Sequence, residues 1–303
     1  MSKAMTTASK GSSRSISAMI IEFPSHLFNK SRIYIKQNWK HLLIKLFSIV
    51  FILLIWFILV EAARGGNQFL MEHRLHQLPT PAETWEAFID SLYPSGESVL
   101  IYKPSILQHA GASIWRVILG FGLAALVGVP SGLIMGRSKY ASDFGGPIVE
   151  LIRPIPPLAW IGVGLLVFTY NVGLFIVFIG VVFPVILSTV NGVKAVEEEL
   201  IEAAKTLGAN RINIFKKVVI PGSLPSIVTG MRIGLGIGWM SIVAAEMVGM
   251  REGLGLGYYV WVMYDSYGDY SHMVAGMILI GFIGWLMNTV IQKIERRMIR
   301  WKE

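Results

Sequence analysis

The sequence predicts an all-α, polytopic membrane protein with six transmembrane helices, and three observations carry the prediction. The chain of 303 residues is 53% hydrophobic and only 15% charged, with a mean hydropathy of +0.58, too apolar for an ordinary soluble domain. Its apolar residues gather into runs near the ~20 residues that a helix needs to cross hydrocarbon, where a backbone must satisfy its own hydrogen bonds. Its basic residues fall unevenly between alternate connecting segments, as membrane topology demands.

In chain order, residues 1–29 are rich in Ser, Thr and Ala, lack periodicity, and read as a disordered cytoplasmic tail. Residues 31–45 are basic and include Tyr34 and Trp39, a pattern shared by helices on the inner membrane surface and by solvated lead-ins to a first span. Together 1–45 make one cytoplasmic segment. The first span, 46–63, carries a single charge, Glu61, near its end. The leader of about 45 residues before it far exceeds a signal-peptide n-region, so Ala62 and Ala63 are not read as a cleavage site.

Residues 64–110 form an external loop. Within it Thr80, Pro81 and Glu83 make a capping box with proline at the first helical position, and Trp85, Phe88, Ile89 and Leu92 follow on one face. This predicts a short amphipathic helix, resting on the outer interface or helping to receive a soluble partner. The membrane core runs over 111–292. Its second span is the uncharged segment 117–136, and the uncharged 40 residues 154–193 make two spans broken near Tyr170 and Asn171. A polar insert, 194–221, leads to a fifth span, 223–249, which contains Arg232 and Glu246. The sixth span is 273–292, and 293–303 is a basic cytoplasmic tail.

With both termini inside, the inner segments hold 21 of the 27 Lys and Arg residues, and the outer loops hold Arg64, Arg74, Lys103 and Arg251. The positive-inside rule therefore accounts for the net charge of +8, and the partner expected of these basic segments is the lipid membrane, with no nucleic acid. The lack of cysteine excludes disulfides, thiolate catalysis and cysteine metal sites. No Walker motif and no Ser/His/Asp constellation occurs, so no catalytic residue, cofactor or metal is assigned. His73 and His76 stand three apart without a further ligand, which suits a solvated loop better than a metal.

Glycines recur every four residues at Gly128, Gly132 and Gly136 in the second span and at Gly230, Gly234 and Gly238 in the fifth. Such stripes let helices approach closely where lipid supplies no hydrophobic drive. The GLGIG and GLGLG runs near Gly234 and Gly255 lack the strand and the Lys-Ser or Lys-Thr of a phosphate loop, and read as packing or turn features.

The insert holds a helix-prone stretch, 196–207, with acids at 197–199 and Lys205 near its end, matching the helix dipole. Gly208 follows, where a left-handed cap belongs. Leu200, Ala203, Ala204 and Leu207 fall at i, i+3, i+4 and i+7, one apolar stripe suited to a partner's groove or to the protein's own inner loops. In the third span Pro154, Pro156 and Pro157 cannot donate backbone bonds, so it opens kinked or unwound, with Arg153 at its inner end. Irregular backbone at that depth persists only within protein or along a water-filled cavity. Arg232 and Glu246 lie ~21 Å apart along a helix, too far to pair with each other. Arg232 reads equally as an anion-attracting residue at an inner gate or as a snorkelling side chain, and Glu246 as gate packing near the outer end.

The run EAAKTLGANRINIFKKVVIP, residues 202–221, resembles the EAA loop of ABC-importer permeases, with Val218 and Ile220 where isoleucine and leucine are usual. The resemblance implies that Glu202, Ala203, Ala204, Leu207, Gly208 and Pro221 belong to a coupling helix docked on an ATPase subunit. RPIPPLAWIG at 153–162, LPSIVTGMRIGLGIGW at 224–239 and AEMVGMREGLGLG at 245–257 are similar to the nitrate, sulfonate, taurine and bicarbonate permeases of that class. Gly162 stands where that group often has proline. The resemblance covers roughly residues 79–292 and implies a type I ABC-importer permease fold, like that of MetI. It also implies a second copy of the chain, two ATP-binding subunits and an extracytoplasmic substrate-binding protein. Arg153, Pro156, Pro157, Trp160, Arg232 and Glu246 are then candidates for the translocation path or its gate. The competing reading is an ion-driven secondary carrier, for which only Glu246 offers a carboxylate inside a span. A membrane-embedded enzyme lacks clustered acids, bases or ligands.

Overall fold

The computed structural model describes residues 39–40, 43–66, 69, 72, 74–94, 104–168, 171–248 and 253–299. The expected tail 1–29, most of 31–45, His73 and residues 300–303 lie outside them. The chain divides into two compact units, residues 1–76 and 77–303. In the first unit helix α1, Leu43–Arg64, is an apolar rod whose side chains are mostly exposed, as a lipid-facing span requires.

The second unit begins with α2, Pro81–Leu92. Its capping box forms as expected: Thr80 N–H donates to Glu83 Oε2 at 2.8 Å, and Glu83 N–H to Thr80 Oγ1 at 3.2 Å. The apolar face expected at the outer interface is only partly turned onto the protein. Thr84, Ala87 and Ser91 are buried, Phe88 and Leu92 partly so, and Trp85 and Ile89 are exposed. The reason is polar: Ser91 Oγ bonds the Tyr259 hydroxyl at 2.7 Å, which turns the small-residue side of α2 onto the protein.

Helix α3, Ile106–Arg137, starts eleven residues before the span expected at 117–136 and so carries Arg116 within it. It is followed by α4, Lys139–Ile152, by a 3-10 turn, Pro157–Trp160, and by α5, Ile161–Val167. The kinked opening expected of the third span takes the form of a sharp bend here. Helix α4 and the Pro157–Val167 segment meet at 90° across the Arg153–Pro156 break, because three prolines remove the donors that would continue the helix. Helix α6, Val172–Lys194, then starts at Asn171, whose left-handed backbone (φ 67°) marks the break expected near it.

Next come α7, Glu198–Thr206, and α8, Arg211–Met247, interrupted by a π-helical turn at Phe215–Val219. Helix α9, Leu256–Val262, and α10, Tyr270–Met298, complete the unit. Among the described residues five helices, α1, α3, α6, α8 and α10, are long and apolar enough to cross a membrane, or six with the bent pair counted as one broken span.

Helix α6 is the axis of the second unit, gripped by α3 on one side and α8 on the other. Val177, Val181 and Val185 are fully buried. On α3, Gly120, Gly128, Gly132 and Gly136 face Val177, Val185, Thr189 and Val193 in turn, a constant offset that sets the two helices parallel in one register. A Cβ on Gly132 would stand 2.5 Å from Thr189 Cβ and 2.8 Å from the Ile186 carbonyl oxygen. On α8, Gly230, Gly234 and Gly238 receive Ser188, Val181 and Val177 from the opposite side. Both glycine stripes read in the sequence therefore serve one helix, and branched side chains fill the notches that the missing Cβ atoms leave.

Candidate functional site: a proline-lined cleft and a polar insert

Three elements meet around a cleft of about 420 Å³: the Arg153–Pro157 break, the face of α6 that carries Gly180, Pro184, Ser188 and Asn191, and Ile233 and Ile237 of α8. Pro184 has no N–H to offer the Gly180 carbonyl, so a backbone acceptor at the cleft wall is left without its helical donor. Gly180 is a point of close packing in that wall. A Cβ there would come within 3.2 Å of Ser241 Oγ and 3.4 Å of Pro157 Cγ. The lining is apolar apart from Ser188, Asn191, exposed backbone and one charged group, Arg153. Such a surface suits a small hydrated or polar solute passing along it, and has no acid–base pair with which to transform one.

Of the residues singled out in the sequence, Arg153, Pro156 and Pro157 line this cleft. Trp160 packs partly buried against the hydrophobic core, with its indole Nε1 enclosed. Arg232 faces α10 instead, its Nη1 donating to Glu295 Oε2 at 3.1 Å. Glu246 is buried (1% exposed) at the end of α8 remote from the insert, in a polar latch. Arg116 Nη1 donates to Glu246 Oε1 at 2.8 Å and to the Leu254 carbonyl at 2.7 Å. Ser113 Oγ lies 2.8 and 2.9 Å from the two carboxylate oxygens. The GLGLG turn is threaded through these groups: Gly255 N–H donates to His109 Nδ1, Leu256 N–H to Ser113 Oγ and Gly257 N–H to Glu246 Oε2, at 2.9–3.0 Å. Gly255 adopts φ 149°, and a side chain at Gly257 would collide with the Val243 carbonyl, so the turn requires glycine at both positions. Sequence reasoning missed Arg116, Ser113 and His109. Ser105 and Gln108, a capping box whose Ser105 N–H reaches Gln108 Oε1 at 3.1 Å, were the signal that α3 begins early enough to include them.

The insert is built from its own caps. Helix α7 ends in a Schellman motif: Gly208, at φ 79°, donates to the Lys205 carbonyl at 2.9 Å, and Ala209 to the Ala204 carbonyl at 3.0 Å. Asn210 then caps the start of α8, accepting from Asn213 N–H at 2.8 Å. The expected apolar stripe is divided. Ala204, with Ile201 and Ala209, packs onto Val193, Ile214 and Val219, whereas Leu200 (53%), Leu207 (87%) and Ile212 (64%) are exposed. Glu202 and Ala203 are exposed as well, and Pro221 sits in the first turn after the π-helical segment. The insert thus has one side anchored to α6 and α8 and another carrying large unpaired apolar side chains. Among the described residues no cluster of three or more His, Asp or Glu could hold a metal.

Membrane-length helices around a proline-broken, weakly polar cleft, with a capped polar insert rooted in the helices that line it, define a solute permease subunit. The chain belongs to the family of binding-protein-dependent transport system inner membrane components, whose model matches residues 128–301. It is 33% identical to the taurine transport system permease protein of Escherichia coli (strain K12), over 74% of this chain and 80% of that one. It is 32% identical to the nitrate import permease protein of Leptolyngbya laminosa, over 72% of this chain and 76% of that one. Its fold matches that of an inward-facing structure of the MetNI methionine ABC transporter with a TM-score of 0.54 and 20% identity, covering 67% of this chain and 99% of that one. The protein is accordingly a multi-pass membrane permease of an ABC importer, and works with an ATPase subunit, which performs the hydrolysis, and a substrate-binding protein.

Proposed function

We propose that the cleft beside Arg153, Pro156 and Pro157 is one half of the translocation path for a small anion of the nitrate, taurine or bicarbonate kind, completed by a second copy of the chain. The single observation that carries this reading is the convergence of the proline break, α6 and α8 on one weakly polar cleft. Arg153 supplies the positive charge that draws an anion toward the exit. Helix α7 docks on the ATPase subunit through Leu200, Leu207 and Ile212, one helix to each of two ATPase copies, and passes its motion to α6 and α8 through Ala204 and Ile201. The insert and both termini then lie in the cytoplasm, in keeping with the inward bias of Lys and Arg.

Reconstitution of the chain with its ATPase subunit and binding protein tests the reading. Uptake of the binding protein's anion should require ATP. Gly180→Leu, which fills the cleft wall, should abolish uptake while assembly with the ATPase persists. Arg153→Ala should reduce uptake, and Arg232→Ala should leave it largely intact, since Arg232 faces α10. ATP-independent uptake driven by an ion gradient, or wild-type uptake by Gly180→Leu, would refute the proposal.

A further inference from the structure

A second cleft, of about 520 Å³, opens between α8 and α10 at the insert end of the unit. Helix α8 contributes Pro225, Thr229 and Arg232, spaced i, i+4 and i+7, and α10 contributes Gln292, Glu295 and Arg296, so each helix turns a single face to it. On α8 this is a different face from the one bearing Ile233 and Ile237, which separates the cleft from the solute path. The Arg232 side chain is 38% exposed here and gives one of its five N–H donors to Glu295. Among the described residues no carboxylate pairs with Arg296. Thr229 Oγ1 is turned back onto the Pro225 carbonyl at 2.9 Å, so the cleft's remaining donors are the two guanidinium groups and the Gln292 amide.

Two cations against one carboxylate leave a single net positive charge. That balance matches a monoanion, whereas the Glu295 carboxylate disfavours a dianion. Guanidinium forks hold pairs of phosphate oxygens with a geometry that simple ammonium groups lack. In the orientation proposed above, on which this inference rests, the cleft lies at the inner leaflet, whose anionic headgroups favour basic pockets between spans. We propose that this cleft binds a phosphodiester monoanion, supplied by the headgroup of an anionic phospholipid.

The test is native mass spectrometry of the full chain in detergent, titrated with phosphatidylglycerol, with phosphatidylcholine, and with glycerophosphoglycerol as a soluble phosphodiester monoanion. Because this binding is read in detergent, it does not depend on transport or on which side of a membrane the insert faces. Phosphatidylglycerol should be retained by the wild type and bound about tenfold more weakly by Arg296→Gln and by Arg232→Gln, the cost of a charge-assisted hydrogen bond. Glu295→Gln, which removes the competing carboxylate, should retain the lipid at least as well as the wild type, and phosphatidylcholine should not distinguish the variants. Equal retention of phosphatidylglycerol by wild type and Arg296→Gln overturns the site. So does a Glu295→Gln variant as weak as the arginine variants, which would make the charges a purely structural pair. Displacement of the lipid by glycerophosphoglycerol overturns the lipid as the source.

Discussion

Removing the carboxylate of Glu246 isolates the contribution of the buried latch. In Glu246→Leu the Arg116 guanidinium, 12% exposed, loses its carboxylate partner while the bond to the Leu254 carbonyl remains, Ser113 Oγ loses both carboxylate oxygens and is left with the longer 3.3 Å bond to the His109 carbonyl, and the Gly257 N–H loses its side-chain acceptor. Breaking one side of a buried ion pair costs about 3–5 kcal/mol, and an orphaned amide adds to that without being strictly additive. A local destabilisation of about 4 kcal/mol corresponds to roughly a thousandfold rise in the open population. Global melting is a poor readout, since membrane proteins commonly unfold irreversibly. Hydrogen exchange reads the event directly, because the amides of Gly255, Leu256 and Gly257 are each bonded to a latch side chain. Exchange at these three amides should accelerate by about a thousandfold while the middle of α6 stays protected. The double variant Arg116→Met, Glu246→Leu removes both charges and should recover most of the loss, because replacing a buried pair with apolar side chains is often near neutral. Less than tenfold acceleration in the single variant, or a double variant no better protected than the single, would refute the argument.

Two further outcomes are expected. Gly132→Val places branched carbons against Thr189 Cβ and the Ile186 carbonyl, which are part of a tight backbone approach, and should cost about 1–3 kcal/mol or more, seen as lower yield and faster hydrogen exchange along α3 and α6; Gly122→Val, whose Cβ meets nothing within 4 Å, should be tolerated and serves as the control. Gly208→Asp forces a side chain onto a left-handed residue at the end of α7, at a local cost of about 1–2 kcal/mol, and should uncouple ATP hydrolysis from uptake while the chain still inserts. Normal ATP-dependent uptake by that variant would remove α7 from the coupling route.

How much could be read beforehand follows from the physics of each signal. The glycine stripes were legible because a four-residue repeat maps directly onto one helix face, and both proved to pack on α6. Gly208 was legible for a similar reason: a glycine after a dipole-matched helix has few other roles. The proline run announced an interruption, but its result, a 90° turn between α4 and the next segment, depends on tertiary packing that local sequence does not encode. Arg116 was passed over because the uncharged window began at Val117, although the helix starts at Ile106. Its partner, Glu246, lies 130 residues away, and single-sequence reasoning has no means of joining them. Arg232 likewise could be recognised as unusual inside a span, while Glu295 as its partner could not. The faces of α2 and α7 show the same boundary: periodicity finds the apolar side chains, and only neighbours such as Tyr259 and Ile214 decide which are covered.

The evenly spaced seats of α3 carry a hazard of their own. Sliding α6 by four residues, ~6 Å, would move the branched side chains to neighbouring seats, of which only the one at Ala124 is narrowed by a methyl group, so shape alone tolerates more than one alignment. Charged and hydrogen-bonding groups at one extremity of the bundle do not repeat in this way. Arg116, Ser113 and Glu246 meet in a single alignment of α3 against α8, and like a key on a splined shaft they exclude the neighbouring settings during assembly.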